Sequence, residues 1–479
     1  MSTFGGINTA LTSLYAQRRG LDVAGENIAN VNTEGYTRQK VRMHAQTGNV
    51  NPGIYSTTTQ VGAGVGISGV DRSRNEYLDA RGRAEHASSA YLSSQKAAYD
   101  QIESVLAEPS DTALQARLHD MWDGWNDVAN NWQDPSTRSA LLERSRTVAV
   151  TLNDTYGALS NQFTANRDQM TSYIDQVNTL AAGVADMNQQ IAVAQSAGLG
   201  ANELRDQRDL KVMQLSELVG ATAQEKNSGA VNVYVGNTAL VSDANASKLM
   251  FAGPSTLDSI TPTNKITLKF TDTGITASAG GTMGSMLDTM NTIIPGITAK
   301  LDEVAAKLAT TVNTALTGGV DSNGDPVPGG YDVNGDPGTP MFGGATAKDI
   351  TVLINDPGKL AFSRGFPNDP DNTVAALDNG VADLLSDVGT SGNGPDAVYQ
   401  SMIGQLGVAA QAAGRRSEIQ DSVTDQVDTA RDSEAGVNLD EEMTNLLTYQ
   451  RGYEAASRVL TTIDSMLDQL INRTGLVGR

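Results

Sequence analysis

The chain has 479 residues, including 55 acidic, 34 basic and no cysteine side chains, and its formal net charge is −21. The absence of cysteine excludes disulfides, zinc–thiolate sites and thiol nucleophiles, and a strongly acidic surface argues against nucleic acids and anionic membranes as partners. No run reaches the ~20 apolar residues of a membrane-spanning helix, and the N-terminal segment does not match a cleavable secretory signal, since its first charged side chain is Arg18.

Residues 1–40 carry an apolar pattern that alternates between spacings of four and three, which is typical of a helix that pairs with another helix. The positions are Ile7, Leu11, Leu14, Arg18, Leu21, Gly25 and Ile28. Burying the large aliphatic members would gain roughly 10 kcal/mol, whereas ordering the segment costs ~1–2 kcal/mol per residue in backbone entropy. We therefore expect this helix to be unstable by itself and to require a partner.

The residues after this segment predict a hairpin and then helices. Residues 41–80 are rich in Gly, Thr and Val, which indicates extended or hairpin structure. Helical periodicity begins near Arg83, and a second helical stripe covers residues 114–132.

A very long helix is predicted next. Asp134 followed by Pro135 is typical of a helix start, because the aspartate can cap and proline is tolerated in the first turn. Apolar residues then recur at helical spacing for about 60 residues, a length of ~90 Å. We expect a break or bend near Gly157 or Gly183, and a shorter helix over residues 202–219.

The period of the hydrophobic pattern changes from that of a helix to that of a strand after Gly220. Half-buried strands are predicted at 231–235 and 266–270, and a further strand is predicted at 350–354. Helices are predicted at 283–316, interrupted at Pro295, and at about 396–432.

The C-terminal segment predicts a second pairing helix. Asn438 can cap its start, Glu441 can reach back to that cap, and Asp440 and Glu442 add negative charge in the first turn. Its apolar residues are Leu439, Met443, Leu446, Tyr449, Tyr453, Ala456, Leu460, Ile463, Leu467 and Leu470. Gly475 is expected to end the helix.

These elements predict a fold that is mainly α with β-containing domains (α+β). We expect an elongated multidomain protein in which 1–40 and 436–479 form a terminal helical domain of paired coiled-coil helices. Residues 41–220 and 396–435 are expected to form a helical-bundle core domain that includes the extended segment at 41–80. An inserted, β-rich outer domain is expected at 221–395, with a helix at about 283–316.

Several motifs resemble the bacterial flagellar axial-protein family. In NIANVNTEGYTRQ, the residues Asn27, Asn30, Asn32, Gly35 and Tyr36 resemble the signature shared by rod, hook and hook-associated proteins. Three further segments resemble the hook-associated branch of that family more specifically. They are VGAGVGISGVDRSRNEYLDAR, NELRDQRDLKVMQLSELVG and VNLDEEMTNLLTYQRGYEAASRVLTTIDSMLDQLINRTG.

The resemblance implies a non-enzymatic structural protein at the extracellular junction of hook and filament. It implies type III export as a monomer whose disordered termini fold into a coiled-coil tube on assembly. The implied partners are the hook protein, the second hook–filament junction protein, further copies of the chain in a ring and a cytoplasmic export chaperone. No cofactor, nucleic acid or membrane is implied.

Two motifs suggest ligand sites, and both have simpler explanations. Residues 64–69 match G-x-G-x-x-G, but a helical pattern follows where a second strand would be needed, so strand bulges are the preferred interpretation. The near-repeats that begin at Asp321 and Asp332 place oxygen ligands like a calcium loop. Proline replaces the loop glycine in both, which favours paired surface turns.

The predicted functional residues form an assembly interface, with no catalytic, cofactor or metal residues. They are Ile7, Leu11, Leu14, Leu21, Ile28, Asn30, Asn32, Gly35, Tyr36, Leu439, Met443, Leu446, Tyr453, Leu460, Ile463, Leu467 and Leu470. The alternatives left open are a hook or rod protein, an enzyme, and an unrelated secreted coiled-coil adhesin.

Overall fold

The computed structural model describes residues 3–47, 62–320, 326–365 and 377–473. Helices dominate these residues and small antiparallel sheets lie among them, so the predicted mainly α class with β-containing parts is confirmed. The chain forms two compact units. The first holds Met1–Ser88, Val177–Lys248 and Asp421–Arg479, and the second holds Ser89–Gln176 and Leu249–Gln420. The three-domain division stays a prediction.

The described residues contain ten α-helices. They are α1 (Thr3–Ala29), α2 (Glu76–Leu106), α3 (Leu114–Asn130), α4 (Pro135–Ser196), α5 (Asn202–Val219), α6 (Gly281–Asp288), α7 (Ile294–Thr317), α8 (Gly380–Ser386), α9 (Pro395–Ala435) and α10 (Leu439–Asp468). The predicted start of α4 is confirmed, since Oδ1 of Asp134 accepts a hydrogen bond from the backbone N–H of Ser136 at 2.8 Å.

The strands of the described residues are all short. They are β1 (Gln39–Gln46), β2 (Gly64–Arg72), β3 (Thr222–Glu225), β4 (Val231–Val235), β5 (Thr238–Ser242), β6 (Asn245–Ala246), β7 (Leu249–Ala252), β8 (Thr267–Phe270), β9 (Thr276–Ala277), β10 (Gly319–Val320), β11 (Pro326–Val327), β12 (Phe342–Gly343) and β13 (Thr351–Val352). The sheet orders are β1-β2, β3-β4-β5-β6, β7-β8-β9, β10-β11 and β12-β13.

The structure corrects two helix predictions and confirms a third. The expected break in the long helix is wrong, because α4 continues through Gly157 and Gly183. A Cβ at Gly183 would lie 3.3 Å from the side chain of Lys211, so this glycine permits close packing. Helix α2 begins before Arg83, because Asn75 caps its first turn. The interruption at Pro295 is confirmed, since a π-helical turn precedes α7.

The glycine motif lies in β2 and makes a bulge, as expected. Arg42 of β1 pairs with Gly69 and Met43 pairs with Ile67, so one residue of β2 is left over between them. Gly64 has φ +105°, and a Cβ there would lie 2.1 Å from Oγ1 of Thr12 in α1. The glycines therefore let the hairpin approach α1 closely.

The second acidic near-repeat forms a turn. Oδ1 of Asp332 accepts hydrogen bonds from the backbone N–H groups of Asn334 at 2.7 Å and Asp336 at 3.0 Å. The first near-repeat, from Asp321 to Asp325, and the predicted helix stop at Gly475 lie outside the described residues.

The first unit contains α1, α5, α10, the β1–β2 hairpin and the four-stranded sheet. An ionic network fixes the end of the hairpin, since Nη1 of Arg72 lies 2.8 Å from carboxylate oxygens of both Asp206 and Asp209 on α5. The amide of Asn188 on α4 holds the sheet, because it donates to the carbonyl of Val231 and accepts from its N–H. Polar side chains thus connect helices and strands in this unit.

The second unit has an apolar core with aromatic side chains at its centre. Trp125, Phe163 and Tyr399 are almost completely buried there. Nε1 of Trp122 on α3 donates to Oδ2 of Asp396, in the first turn of α9, at 2.7 Å. The core therefore includes a buried hydrogen bond that ties α3 to the start of α9.

Candidate functional site: the paired terminal helices

The first and last described helices of the chain form an antiparallel pair. Residues early in α1 contact residues late in α10, and each step forward along α1 is matched by an equal step back along α10. The contacts that show this register are Gly6 with Ile463, Gln17 with Gly452, Gly20 with Tyr449 and Asn27 with Glu442. Two segments at opposite ends of the sequence therefore pack together as one antiparallel helix pair.

The face of α1 that meets α10 is made of small side chains. A Cβ at Gly20 would lie 2.7 Å from the ring of Tyr449, so the ring lies directly on the helix backbone. Ala10, Ala16 and Ala24 are also buried in α1. Close approach of the two helix backbones therefore contributes more to this contact than packing of large apolar side chains does.

The predicted interface residues lie beside this face and stay partly accessible. The half-buried ones are Ile7, Leu11, Leu14, Leu21, Ile28, Asn30, Tyr36, Leu446, Leu460, Ile463 and Leu467. The exposed ones are Asn32, Gly35, Leu439, Met443, Tyr453 and Leu470. The structure thus places nearly all the predicted residues on or next to one helix pair, without fully burying any of them.

A buried polar cluster joins the C-terminal end of α1 to the start of α10. We call Asn27, Tyr36, Arg38, Gln39 and Glu442 the junction cluster. Nδ2 of Asn27 donates to the carbonyl of Gln39 at 2.9 Å and to Oε2 of Glu442 at 3.0 Å. Oδ1 of Asn27 accepts from the Gln39 N–H and from the Tyr36 hydroxyl, both at 2.9 Å. All four hydrogen-bonding positions of this amide are used.

Charge reinforces the junction cluster. Nη2 of Arg38 lies 2.8 Å from Oε1 of Glu442, whose side chain is only 3% exposed, and Nη1 lies 2.7 Å from Glu441. Burial alone would lower the pKa of Arg38, but its contacts with Glu441 and Glu442 raise that pKa above its ordinary value. Burial raises the pKa of the Tyr36 hydroxyl, which therefore stays protonated and able to donate.

The C-terminal end of α9 is tied to the same cluster. The N–H of Arg38 donates to the carbonyl of Ala435 at 2.9 Å, and the hydroxyl of Ser73 donates to the carbonyl of Glu434 at 3.1 Å. The side chain of Asn438 accepts from the N–H groups of Asp440 and Glu441, which confirms the predicted cap of α10. Glu441 forms its ion pair with Arg38, so the capping-box role expected for it is replaced by this contact.

The residues that hold the pair together are not among the predicted interface residues. Glu442 was interpreted as first-turn charge and Asn27 only as part of a signature, yet both are almost completely buried. The sequence does carry a signal for this face. It is a second heptad pattern in which each member lies one position before a member of the aliphatic pattern. Its members are Gly6, Ala10, Ser13, Gln17, Gly20, Ala24 and Asn27, which are mostly small.

Replacing Gly20 with alanine is expected to weaken the helix pair, whereas the same change at Gly25 should strengthen α1. Displacing the Tyr449 ring costs about 1–3 kcal/mol, while alanine gains about 1 kcal/mol over glycine in either helical position. Nothing lies within 4 Å of a Cβ at Gly25. After binding to isolated hooks, amide hydrogen exchange over residues 439–468 should be faster in Gly20→Ala than in the wild-type chain and no faster in Gly25→Ala. Equal slowing in both variants would contradict the close packing at Gly20.

The described residues contain no group of three or more His, Cys, Asp or Glu side chains placed to bind a metal ion. No described helix combines the length and apolar composition that a membrane crossing requires. The chemistry that this site offers is association between helices.

Three protein families match successive parts of the chain. Residues 99–342 match the helical domain of flagellar hook-associated protein FlgK. The ends match families of the flagellar rod: residues 7–37 match the flagella basal body rod protein and residues 431–473 match the C-terminal region of the basal body rod FlgEFG proteins. The two rod-family matches contain most of the paired helices described above.

Full-length relatives agree with these families. Flagellar hook-associated protein 1 of Bacillus subtilis is 30% identical, with 100% of both chains covered. The protein of the same name from Escherichia coli is 25% identical over 97% of this chain and 99% of that one. The flagellar hook protein FlgE of Helicobacter pylori is 31% identical over only 23% of this chain. These relatives are named as structural parts of the flagellum, not as enzymes.

A solved structure supports the same fold. The flagellar hook junction protein FlgK from Burkholderia pseudomallei aligns with a TM-score of 0.58 over 74% of this chain and 99% of that one, at 16% sequence identity. Because a relative 30% identical matches along the full length of both chains, this chain belongs to the flagellar hook-associated protein 1 family and is a structural component of the flagellum.

Proposed function

We propose that this protein joins hook to filament in the extracellular flagellum and that its paired terminal helices carry out the assembly. The chain is exported as a monomer with disordered termini, which fold into a coiled-coil tube when subunits meet. The observation that carries the proposal is the apolar surface that the α1–α10 pair leaves uncovered. Leu439, Met443 and Tyr453 are 47%, 50% and 40% exposed.

The energetics of the pair support folding on assembly. The contact between α1 and α10 uses small side chains, so it buries little apolar area for its length, and tertiary packing supplies most of the stability of helices in proteins. Covering the half-buried Leu11, Leu14 and Leu460 with a neighbouring copy would add the missing apolar burial. Assembly and helix formation are therefore coupled, in the manner of segments that fold on binding.

The proposed partners are the hook protein, the second hook–filament junction protein, further copies of the chain in a ring and a cytoplasmic export chaperone. The names of the relatives and the match to part of a hook protein support the first of these. Ring formation is supported by the uncovered apolar surface, which identical subunits share. Type III export is supported by family membership.

Free and assembled chains should differ most at their ends. We expect amide exchange to be fast at residues 3–40 and 436–473 in the free chain and slow at residues 90–215, which include the buried core helices α3 and α4. Binding to isolated hooks should slow exchange at the ends. If the ends of the free chain are as protected as residues 90–215, the pair is self-contained and folding on assembly is rejected.

Position on the hook can be measured directly. The chain has no cysteine, so a single Ser255→Cys change at an exposed site provides one attachment point for a gold label. Labelled chain mixed with isolated hooks should appear at the hook tip in electron micrographs, and the second junction protein should then bind to it. Label along the hook shaft would instead support a hook protein, and label at the basal end would support a rod protein.

A further inference from the structure

One histidine lies between carboxylates of two other helices in the first unit. His86 belongs to α2, its Nδ1 lies 3.1 Å from Oε1 of Glu217 on α5, and its Nε2 lies 2.8 Å from Oδ2 of Asp428 on α9. These three side chains, which we call the His86 clamp, come from sequence positions more than a hundred residues apart. A single imidazole thus connects three helices.

Both contacts of the clamp require a protonated ring. The imidazolium form carries an N–H on each ring nitrogen and can donate to Glu217 and Asp428 at once. The neutral ring has one N–H and one lone pair, and that lone pair would face a carboxylate oxygen. Losing one proton therefore converts one of the two attractive contacts into a repulsive one.

The charges around His86 favour the protonated form. Arg431 on α9 lies 3.1 Å from Asp428 and 3.4 Å from Asp79, so it neutralises part of the acidic excess. The titratable and charged groups that line the cavity beside the clamp are Asp79 and Arg83 on α2, Asp206, Asp209 and Glu217 on α5, Asp428, Arg431 and Asp432 on α9, and Glu34, Tyr36 and Arg74 in the adjacent segments.

Water can reach the clamp. The side chain of His86 is 26% exposed, and it borders a cavity of about 460 Å³ that is lined mainly by charged side chains. The hydrogen bond with Glu217 raises the pKa of His86 above its ordinary value, burial opposes this, and Asp428 adds to the increase. Protons can therefore exchange at this ring without unfolding of the unit.

We propose that the His86 clamp is a pH-sensitive connection that holds α2, α5 and α9 together below neutral pH and releases them as the pH rises. Asp428 lies about two helical turns before the end of α9, where the carbonyl of Ala435 accepts from the N–H of Arg38 in the junction cluster. Release of the clamp therefore frees the helix that leads into α10. The proposal concerns the packing of α2, α5 and α9 within the first unit and does not depend on the role at the hook.

The sign of the effect follows from linkage. The folded chain holds the His86 proton more tightly than the unfolded chain, so the clamp stabilises the unit fully below the ordinary imidazole pKa of about 6.5. That stabilisation is lost as the pH rises through the folded pKa. Each unit by which the pKa of His86 in the folded chain exceeds that in the unfolded chain corresponds to about a tenfold change in the equilibrium between the closed and the released clamp.

The first test is a titration of the full chain. The chain has three histidines, so histidine-selective ¹³C labelling gives few NMR signals, and the His86 signal is the one that disappears in His86→Gln. Its pKa should be higher in the folded chain than in the chain unfolded by urea, and it should fall in Glu217→Gln. If the pKa of His86 is the same in the folded and the unfolded wild-type chain, the proposal is overturned. This comparison is made on the wild-type chain and does not depend on how a variant folds.

The second test measures the connection itself. Amide exchange over residues 212–219 and 424–432, corrected for the intrinsic effect of pH, should lose protection between pH 5.5 and pH 8.5, about tenfold for each unit of pKa difference. The loss should be absent in His86→Gln and retained in Glu103→Gln, a control at an exposed site of α2. A pH step of the same size in His86→Gln would show that the clamp does not cause it.

Discussion

Replacing Asn27 with leucine is expected to disconnect α1 from the start of α10. The substitution keeps the side-chain size but removes all four hydrogen bonds of the amide. The N–H and carbonyl of Gln39 would be left buried and unpaired, and Glu442 would lose one donor. Unmade buried hydrogen bonds cost about 1–3 kcal/mol each, so we expect a loss of about 3–5 kcal/mol.

The measurement is amide exchange in peptides covering residues 36–42 and 439–446, in the free chain and after binding to isolated hooks. Exchange should become about a hundredfold to several thousandfold faster in whichever state protects these residues. Asn8→Leu is the matched control, because Asn8 is exposed on the same helix and its replacement should leave the exchange unchanged. Equal exchange in Asn27→Leu and the wild-type chain would show that the junction cluster contributes nothing to the pair.

Replacing Leu460 with aspartate should abolish incorporation at the hook while leaving both compact units folded. Leu460 is half-buried on α10, and the proposed assembly would cover the rest of it with a neighbouring copy. An ionised carboxylate in that apolar contact would be buried without a partner, which costs several kcal/mol. Apart from Glu442 and Ala456, the buried residues of both units lie outside α10, so the units should stay folded.

Incorporation can be measured as motility in cells that produce only the variant and as gold label on isolated hooks. Thr461→Asp provides the control, because Thr461 is the next residue on α10, is exposed, and receives the same charge. Circular dichroism and thermal unfolding should be alike in the two variants, which separates a failure of assembly from a failure to fold. Normal incorporation of Leu460→Asp would rule out the proposed interface.

The family matches distinguish the two ends of the chain from the region between them. The rod-family matches contain α10 and most of α1, while the FlgK helical-domain match covers residues 99–342. The proposed assembly function therefore uses the parts of the chain that resemble rod proteins, whereas residues 99–342 resemble the helical domain of the hook-associated family.

Much of the secondary structure could be predicted from the sequence, because caps, prolines and periodicity act within a few residues. Asp134 and Pro135 start α4, and Asn438 caps α10, as predicted. The alternating valines at 231–235 form β4, and the alternation at 266–270 contains β8. The interruption before Pro295 also follows from the missing N–H and the fixed φ of proline. Each of these outcomes depends on local chemistry.

The effect of a glycine on structure could not always be predicted from its neighbours in the sequence. Gly157 and Gly183 were expected to break a helix because glycine lowers helix propensity by about 1 kcal/mol. Helix α4 instead continues through both, since packing along its length outweighs that cost, and Gly183 gives Lys211 room to approach. Gly64 was recognised as part of a bulged strand, but its contact with Thr12 on α1 could be found only in the folded chain.

The sequence by itself determined that both ends of the chain are helices with an apolar stripe and that each requires a partner. Only the tertiary structure decided which face makes the contact. The small side chains around Gly20 lie against Tyr449, and the larger aliphatic ones stay half-covered beside them. The buried bond between Asn27 and Glu442 joins residues 415 positions apart. The periodicity of a sequence shows the apolar stripe of one helix, whereas the register of a helix pair depends on the shape and polarity of the side chains on both helices.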